Sequence, residues 1–223
     1  MTAKCGADAS VICIKDQRNG ISDMTDQAKQ YPDYQPFEYW NAREHPNISD
    51  DDDVGLHDSE FIRPQIKDAK TLLEIGPGVG RLFKLYTHLD KVYTVDISTN
   101  YSDRLRAKAT SFGISLEDHY LPDATAPFPF VDQQFDCGMA SFVLMHIPFE
   151  NIEHTMSEAA RVCKKMVVFT SVEDSWPKAR AEYNTHWHCF NHDYNAICER
   201  IGCEIVHHEK ITERVFGFVY QRR

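Results

Sequence analysis

A stretch with three alternating glycines constrains this chain more than any other feature. It reads Thr71-Leu-Leu-Glu-Ile-Gly-Pro-Gly-Val-Gly-Arg-Leu-Phe83. Residues 71–75 form a short apolar run with one carboxylate, which is typical of a buried strand. Residues 81–89 return to an apolar spacing that predicts a helix. The glycine turn between them needs positive φ angles and lets a ligand approach the backbone closely, while the helix N-terminus adds free N–H groups.

The spacing of these glycines distinguishes among the known glycine-rich motifs that bind ligands. The dinucleotide fingerprint reads G-x-G-x-x-G, whereas here the third glycine comes one residue early and Arg81 occupies the position that the fingerprint gives to it. No G-K-[ST] follows, so this is not the phosphate loop of the nucleotidases. The pattern E-x-G-x-G-x-G resembles the first motif of the class I S-adenosylmethionine-dependent methyltransferases. A tight turn without a ligand is the alternative interpretation.

Composition excludes several other classes of protein. The 223 residues are 42% hydrophobic and 26% charged, which suits one globular α/β domain. The net charge of −10 disfavours a nucleic-acid partner, because a phosphate backbone selects basic surfaces. Seven cysteines without a C-x-x-C pair fit thiols kept reduced, and no apolar run approaches a signal-peptide core or a membrane span. We therefore expect a cytoplasmic protein without a membrane partner, and its oligomeric state is left open.

A second apolar run, residues 91–96, also ends in a carboxylate. Asp96 follows Gly80 by 16 residues, which is about one helix plus one strand. Two parallel strands joined by a helix have their C-terminal ends side by side. Asp96 is therefore predicted to face the same crevice as the glycine turn, where a carboxylate can accept both hydroxyls of a ribose.

Strands and helices alternate along the rest of the chain. Strands are predicted at 115–120, 135–140 and 165–171, helices at 100–112, 148–163 and 191–201, and two closing strands at 203–208 and 214–220. The alternation predicts an α/β fold with a doubly wound, seven-stranded, mostly parallel sheet of Rossmann-like type. The resemblance covers residues 37–221 and implies that the last strand inserts antiparallel beside the fifth.

The resemblance also implies S-adenosyl-L-methionine as the cofactor. Glu74 and the glycine turn would hold its methionine portion, with Glu74 near the ammonium. Asp96 and Ile97 would hold the ribose, and Asp123 and Ala124 the adenine. The set predicted from this core domain comprises Glu74, Gly76, Pro77, Gly78, Gly80, Arg81, Asp96, Ile97, Asp123, Ala124, Ala140 and Ser141.

An aromatic segment, residues 35–43, precedes the core. Phe37, Tyr39 and Trp40 give it one aromatic face, which fits either an amphipathic helix packed on the core or a cap over the ligand cleft. Its Tyr-Trp-Asn-x-x-Arg arrangement resembles the helix that precedes the core in many small methyltransferases, which implies that Tyr39, Trp40 and Arg43 contact the cofactor. We predict one domain over residues 37–223, with this capping helix at its start. Residues 1–36 fit a mobile arm or a short covering helix.

The methyl acceptor is predicted to lie near several histidines. His146 follows the fourth strand, where family members often carry a histidine, and imidazole titrates near neutral pH. It is the best candidate for a general base. The predicted acceptor-binding side chains are His146, Trp176, Tyr183, His186 and His188. A metal site and a solvent-facing loop are the alternatives for residues 186–192, but no ligand set of known spacing is complete, so no metal is predicted.

The residues after the fourth strand bear on the acceptor class. The motif for amine methylation on nucleic-acid bases, Asn or Asp before Pro-Pro-Tyr, is absent there, and Ala140-Ser-Phe-Val stands in its place. We therefore predict a methyltransferase that acts on an oxygen or nitrogen of a small molecule. An NAD-dependent oxidoreductase and a non-catalytic cofactor-binding module are the two rival hypotheses.

Overall fold

The computed structural model describes residues 34–43, 56–171, 182–184, 188–213 and 215–223. Five α-helices lie in these ranges: α1 (Pro36–Ala42), α2 (Leu56–Ile66), α3 (Ser102–Ser111), α4 (Phe149–Val162) and α5 (Tyr194–Arg200). The strands are β1 (Thr71–Ile75), β2 (Lys91–Asp96), β3 (Leu116–Tyr120), β4 (Cys137–Ser141), β5 (Met166–Ser171), β6 (Glu182–Asn184), β7 (Cys189–Asn191), β8 (Cys203–Lys210) and β9 (Val215–Arg222).

One seven-stranded sheet carries the fold, in the order β3-β2-β1-β4-β5-β9-β8. Strands β1 to β5 are parallel, and β9 runs antiparallel between β5 and β8. This arrangement confirms the predicted mostly parallel sheet and the insertion of the last strand beside the fifth. Strands β6 and β7 form a separate antiparallel pair within the long connection that follows β5.

Two apolar layers cover the faces of this sheet. Successive residues of β1 belong to different layers, with Leu72 in one and Leu73 in the other, because side chains alternate across a strand. The middle strands are mostly apolar, because parallel strands of such a sheet are buried on both faces. Thus Cys137 to Ala140 are all buried in β4.

The register aligns the C-terminal ends of the central strands. Ile75 pairs with Val95 on one side and with Ala140 on the other. Gly76 continues this ladder, because its N–H donates to the carbonyl oxygen of Val95 at 2.9 Å. The glycine turn and Asp96 therefore lie at the same edge of the sheet, as predicted.

The predicted helix over residues 81–89 is wrong. Only a short 3₁₀ helix, Phe83–Leu85, lies there, and its turns are closed by i→i−3 bonds such as Leu85 N–H to the Leu82 carbonyl oxygen at 2.8 Å. Ten residues must return from Gly80 to Lys91, which pairs with the first residue of β1. The connection must run back along a five-residue strand, which is about 17 Å long. Ten residues span about 15 Å as an α-helix and about 20 Å as a 3₁₀ helix. An α-helix would therefore use all ten residues without reaching the start of β2, and none would remain for the turns at its ends.

The last helix begins later than predicted. Residues 189–191 form β7, and α5 starts at Tyr194 with Asp193 as its N-cap. The Oδ1 atom of Asp193 accepts from the N–H of Ala196 at 3.0 Å, which satisfies one of the free donors of the first turn. Among the described residues, the longest helix is α4 with 14 residues, and no helix is long and apolar enough to cross a membrane.

Candidate functional site

The glycine turn is built around three positive φ angles. Gly76, Gly78 and Gly80 have φ values of 61°, 54° and 79°. A Cβ at Gly76 would lie 2.5 Å from Cγ2 of Val143, and one at Gly80 would lie 3.0 Å from the ring of Phe83. A Cβ at Gly78 would meet no atom within 4 Å. Gly76 and Gly80 are thus required for packing, whereas Gly78 leaves open space that a ligand can approach.

Asp96 lies at the end of β2 against this turn. Its Oδ1 accepts from the N–H of Ser98 at 2.9 Å, and the N–H groups of Ile97 and Gly78 also favour its ionised form. Burial opposes them and raises the pKa of Asp96 to about 6. The backbone therefore holds this carboxylate in one orientation beside the open space at Gly78.

Glu74 lies under the other side of the turn and is 2% exposed. Its Oε2 is buried and has no hydrogen-bond partner in the described part of the chain. Burial raises the pKa of Glu74 to about 8, and the positive charge of Arg81 partly opposes that increase. A buried carboxyl oxygen without a partner costs free energy, which a cationic ligand group would recover. The residues at this edge thus fit a ligand that carries both an ammonium and a pair of hydroxyls.

Tyr86 is a neighbour of Glu74 that sequence analysis missed as a site residue. It lies within residues 81–89, whose apolar spacing predicts a helix, and its ring is fully buried. Its buried hydroxyl lies near the Glu74 carboxyl without a hydrogen bond of ordinary geometry among the described residues, and burial and the Glu74 charge raise its pKa. The Tyr86 hydroxyl in turn lowers the pKa of Glu74, so the two buried groups are close neighbours beneath the glycine turn.

Arg81 bridges two elements rather than pointing into open space. Its guanidinium donates to Oδ2 of Asp58 at 3.2 Å and to Oγ of Ser141 at 3.0 Å. The side chains of Arg81 and Asp58 are only 11% and 19% exposed. The pair joins α2 to the end of β4. No local signal pointed to Asp58, which precedes Arg81 by 23 residues.

The predicted adenine segment lies in an exposed turn after β3. Oδ1 of Asp123 accepts from the N–H of Thr125 at 2.7 Å and from its hydroxyl, and these bonds lower the pKa of Asp123. The carbonyl oxygen of Ala124 accepts from the Thr155 hydroxyl at 3.2 Å. The N–H of Leu121 donates to the Asp96 carbonyl oxygen at 2.8 Å, which brings this turn to the same edge.

Two further predicted residues contribute mainly through their backbone. Ala140 is fully buried, so its side chain belongs to the core rather than to the open crevice. Ile97 packs partly against the same core, and its carbonyl oxygen accepts from Nδ2 of Asn41 at 3.1 Å.

Helix α1 is tied to the loop that follows Asp96. The carbonyl oxygen of Trp40 accepts from Oγ of Ser98 at 3.2 Å and from Nδ2 of Asn100 at 2.9 Å. Arg43 contacts the rings of Tyr39 and Trp40, at 5.0 and 5.6 Å from their centroids. None of the α1 residues is fully buried, so this helix lies on the strand ends rather than within the core. It begins at Pro36, and Tyr34 is already buried, so the packed structure starts before residue 37.

His146 ends the short 3₁₀ helix Leu144–His146 that follows β4. Its Nδ1 lies 2.9 Å from the carbonyl oxygen of His188, and its own carbonyl oxygen accepts from the Tyr34 hydroxyl at 2.9 Å. Because a carbonyl oxygen only accepts, Nδ1 carries the proton and Nε2 keeps its lone pair in the neutral ring. Burial lowers the pKa of His146, which keeps it neutral at pH 7.

The other predicted acceptor residues differ in position. His188 stacks on Tyr34, with ring centroids 4.6 Å apart, and meets the ring of Tyr39 edge to face. Tyr183 lies in β6, where its backbone pairs with Phe190. Trp176 and His186 fall outside the described residues. No group of three or more His, Cys, Asp and Glu residues that could hold a metal occurs in the described ranges.

His192 is the clearest example of a core histidine. It is 1% exposed, and its Nε2 donates to the carbonyl oxygen of Ile147 at 3.0 Å. Burial lowers its pKa to about 4, so this ring stays neutral.

Residues 73–170, which include the glycine turn and Asp96, match the family described as the methyltransferase domain. Over this segment the chain is similar to that family, and its sheet has a fold that a solved S-adenosylmethionine-dependent methyltransferase shares.

A curated relative matches half of the chain. A phosphatidylethanolamine N-methyltransferase of Cereibacter sphaeroides is 30% identical over 115 residues, which are 50% of this chain and 56% of that relative. The chain thus spans about half the length of the curated relative that it matches.

Two solved structures share the fold. A SAM-dependent methyltransferase from Aquifex aeolicus is 18% identical with a TM-score of 0.60, over 76% of this chain and 93% of that one. The magnesium protoporphyrin IX methyltransferase of Synechocystis with bound SAM is 16% identical with a TM-score of 0.57, over 92% of this chain and 100% of that one.

Proposed function

We propose that this protein transfers a methyl group from S-adenosylmethionine to an oxygen or nitrogen of a small-molecule acceptor. One observation carries the proposal. A buried carboxyl group, Glu74, and a half-buried one, Asp96, flank a glycine turn whose middle glycine faces open space. The unpartnered Oε2 of Glu74 suits an ammonium, and the backbone-held carboxylate of Asp96 suits two vicinal hydroxyls.

The residues of this chain would act by binding and orientation. Glu74 would hold the methionine portion of the cofactor, and Asp96 its ribose. Asp123 and Ala124 would border its adenine, and α1 would exclude water from the crevice. When bound, S-adenosylmethionine supplies a methyl group that is already activated by the sulfonium. Alignment of the acceptor is then worth about 7–11 kcal/mol of the barrier.

His146 would accept the proton of the acceptor through Nε2. Its Nδ1 is committed to the His188 carbonyl, and its lowered pKa keeps the ring unprotonated at neutral pH. A base is needed where the acceptor is protonated at that pH, as an alkyl amine or a hydroxyl is. The named activity of the Cereibacter relative on a nitrogen makes amines the first acceptor class to test.

The negative net charge of the protein supports a small acceptor rather than a nucleic acid. The net charge of −10 works against a phosphate backbone. We also propose a cytoplasmic location, supported by the seven cysteines without disulfide-type spacing.

Thermal shift and calorimetry test the cofactor. We expect S-adenosylmethionine and S-adenosylhomocysteine to stabilise the protein and NAD to have no effect, whereas stabilisation by NAD alone would favour the oxidoreductase. Incubation with labelled methyl donor and fractionated metabolites then identifies the acceptor. Tight cofactor binding without label transfer to any fraction, lipid amines included, would favour a non-catalytic module.

A further inference from the structure

His188 has a backbone conformation that is uncommon for its residue type. Its φ angle is +50°, in the left-handed region that mainly glycine adopts. The residue immediately precedes β7, and the pairing of Asn184 with Cys189 places it at the end of the β6–β7 connection. Such a conformation persists only where the surroundings hold it.

Two aromatic rings pack against the imidazole of His188. Tyr34 stacks on the imidazole with the rings 10° from parallel, and the ring of Tyr39 meets it at 74°. One contact comes from Tyr34, just before α1, and the other from Tyr39 within it. Residues at the start of α1 thus pack against His188 where it leads into β7.

The conformation of His188 places its carbonyl oxygen against His146. In this conformation the carbonyl oxygen of His188 lies 2.9 Å from Nδ1 of His146, and Sγ of Cys189 lies 3.8 Å from the same atom. The carbonyl therefore supplies the acceptor that decides which ring nitrogen holds the proton.

We propose that His188 is a positioning residue whose left-handed backbone holds its carbonyl on Nδ1 of His146, so that Nε2 faces the methyl acceptor as the free base. The proposal rests on the proposed function only in giving Nε2 that role. The tautomer itself is a property of the protein and can be measured without turnover.

The charges around His146 explain why a carbonyl suits this role. The groups that face the imidazole in the described part of the chain are the His188 carbonyl, the Cys189 thiol, the His188 ring and the guanidinium of Arg43. Burial and the guanidinium of Arg43 disfavour a second proton on the ring. A carbonyl orients the ring without adding the negative charge that would favour imidazolium.

Substitutions at His188 separate the backbone from the ring. His188→Gly keeps access to positive φ and removes the imidazole, whereas His188→Val keeps a side chain and disfavours positive φ. Nitrogen-15 spectra of labelled histidine report the protonated nitrogen of His146, and its signals are assigned by their loss in His146→Gln. We expect the Nδ1–H tautomer in the wild type and in His188→Gly. In His188→Val we expect the Nε2–H form to gain population and turnover to fall about 10–100-fold below that of His188→Gly, which lacks the same ring.

Two results would overturn the proposal. One is an unchanged Nδ1–H tautomer in His188→Val, which would mean that the positive φ serves only to close the β6–β7 connection. The other is loss of that tautomer in His188→Gly, which would assign the effect to the imidazole ring. Should His188→Val not fold, His188→Ala disfavours positive φ less severely and should give an intermediate tautomer population. Because the spectra need no acceptor, they decide the question even if methyl transfer is not found.

Discussion

The indole of Trp40 meets the imidazole of His146 edge to face, with the ring centroids 5.0 Å apart. One side chain belongs to the helix before the core, and the other follows the fourth strand. The contact joins the segment predicted to cover the cofactor to the candidate base. The segment that would cover the cofactor is therefore in direct contact with the candidate base.

Replacing His146 by alanine should cut turnover by about 10²–10⁴-fold, because a general base contributes that much. Affinity for S-adenosylmethionine should be nearly unchanged in calorimetry. The exposed His208 on β8 provides a control, and His208→Ala should retain full activity. A small loss of turnover in His146→Ala, or activity abolished by a chelator, would move the chemistry elsewhere.

The pH profile of the wild type gives a second measure of His146. Burial lowers its pKa from the ordinary value of 6.5, and the neutral ring is the active form. Turnover should therefore rise with pH along a limb whose midpoint lies below 6.5 and then level off. This limb should be missing from the residual activity of His146→Ala.

Deleting residues 1–45 should abolish cofactor affinity, because the deletion removes the α1 contacts to the loop after Asp96 and the Tyr34 contact to His146. Calorimetry with S-adenosylhomocysteine measures the loss, and circular dichroism checks that the sheet persists. If the truncated protein binds as tightly as the full chain, the segment contributes packing alone.

Asp96→Ala should weaken S-adenosylmethionine binding at least about tenfold, since a hydrogen bond to a charged group contributes about 1.5–3 kcal/mol. The fold should stay intact because Asp96 lies at a strand end. Asp90→Ala, at the exposed turn before the same strand, is the matched control. Unchanged affinity in Asp96→Ala would exclude the ribose assignment.

Glu74 should make stability fall as pH rises. Its pKa is about 8 in the folded protein against 4.5 as the reference value, so between these values the unfolded chain loses a proton that the folded protein keeps. The stability contribution is complete below pH 4.5 and is lost as pH rises to about 8, by up to about 1.4 kcal/mol per pH unit.

Glu74→Gln should flatten this slope in urea unfolding measured across that range, because glutamine does not titrate. The exposed Glu209→Gln should leave the slope as in the wild type. Parallel pH curves for the wild type and Glu74→Gln would show that Glu74 is ionised in the folded protein.

Asp58→Asn should lower the free energy of unfolding by about 1–3 kcal/mol, because it leaves the largely buried Arg81 guanidinium without its anionic partner. Asp103→Asn removes a fully exposed carboxylate 3.8 Å from Arg106 and should have no measurable effect. Equal stability of the two variants would mean that the Arg81 bridge does not hold α2 to the sheet.

Much of the fold could be predicted because its signals are local. Apolar runs that end in Glu74 and Asp96 marked two parallel strands, and the spacing between them placed both carboxylates at one edge of the sheet. The three glycines marked positive φ angles that the backbone does adopt. The connection after Gly80 was misassigned because its apolar spacing suits a helix, while its length, set by the strand register, does not.

The sequence by itself thus determined where the strands of the large sheet lie along the chain, the sheet edge that holds the site and the chemical groups along it, because burial pattern and turn geometry are encoded in neighbouring residues. Tertiary structure alone decided which distant groups meet there. Asp58 pairs with Arg81, the Tyr86 hydroxyl lies under Glu74, and the carbonyl of His188 reaches His146. These partners are far apart in the chain or act through the backbone, so only packing brings them within hydrogen-bonding and electrostatic range.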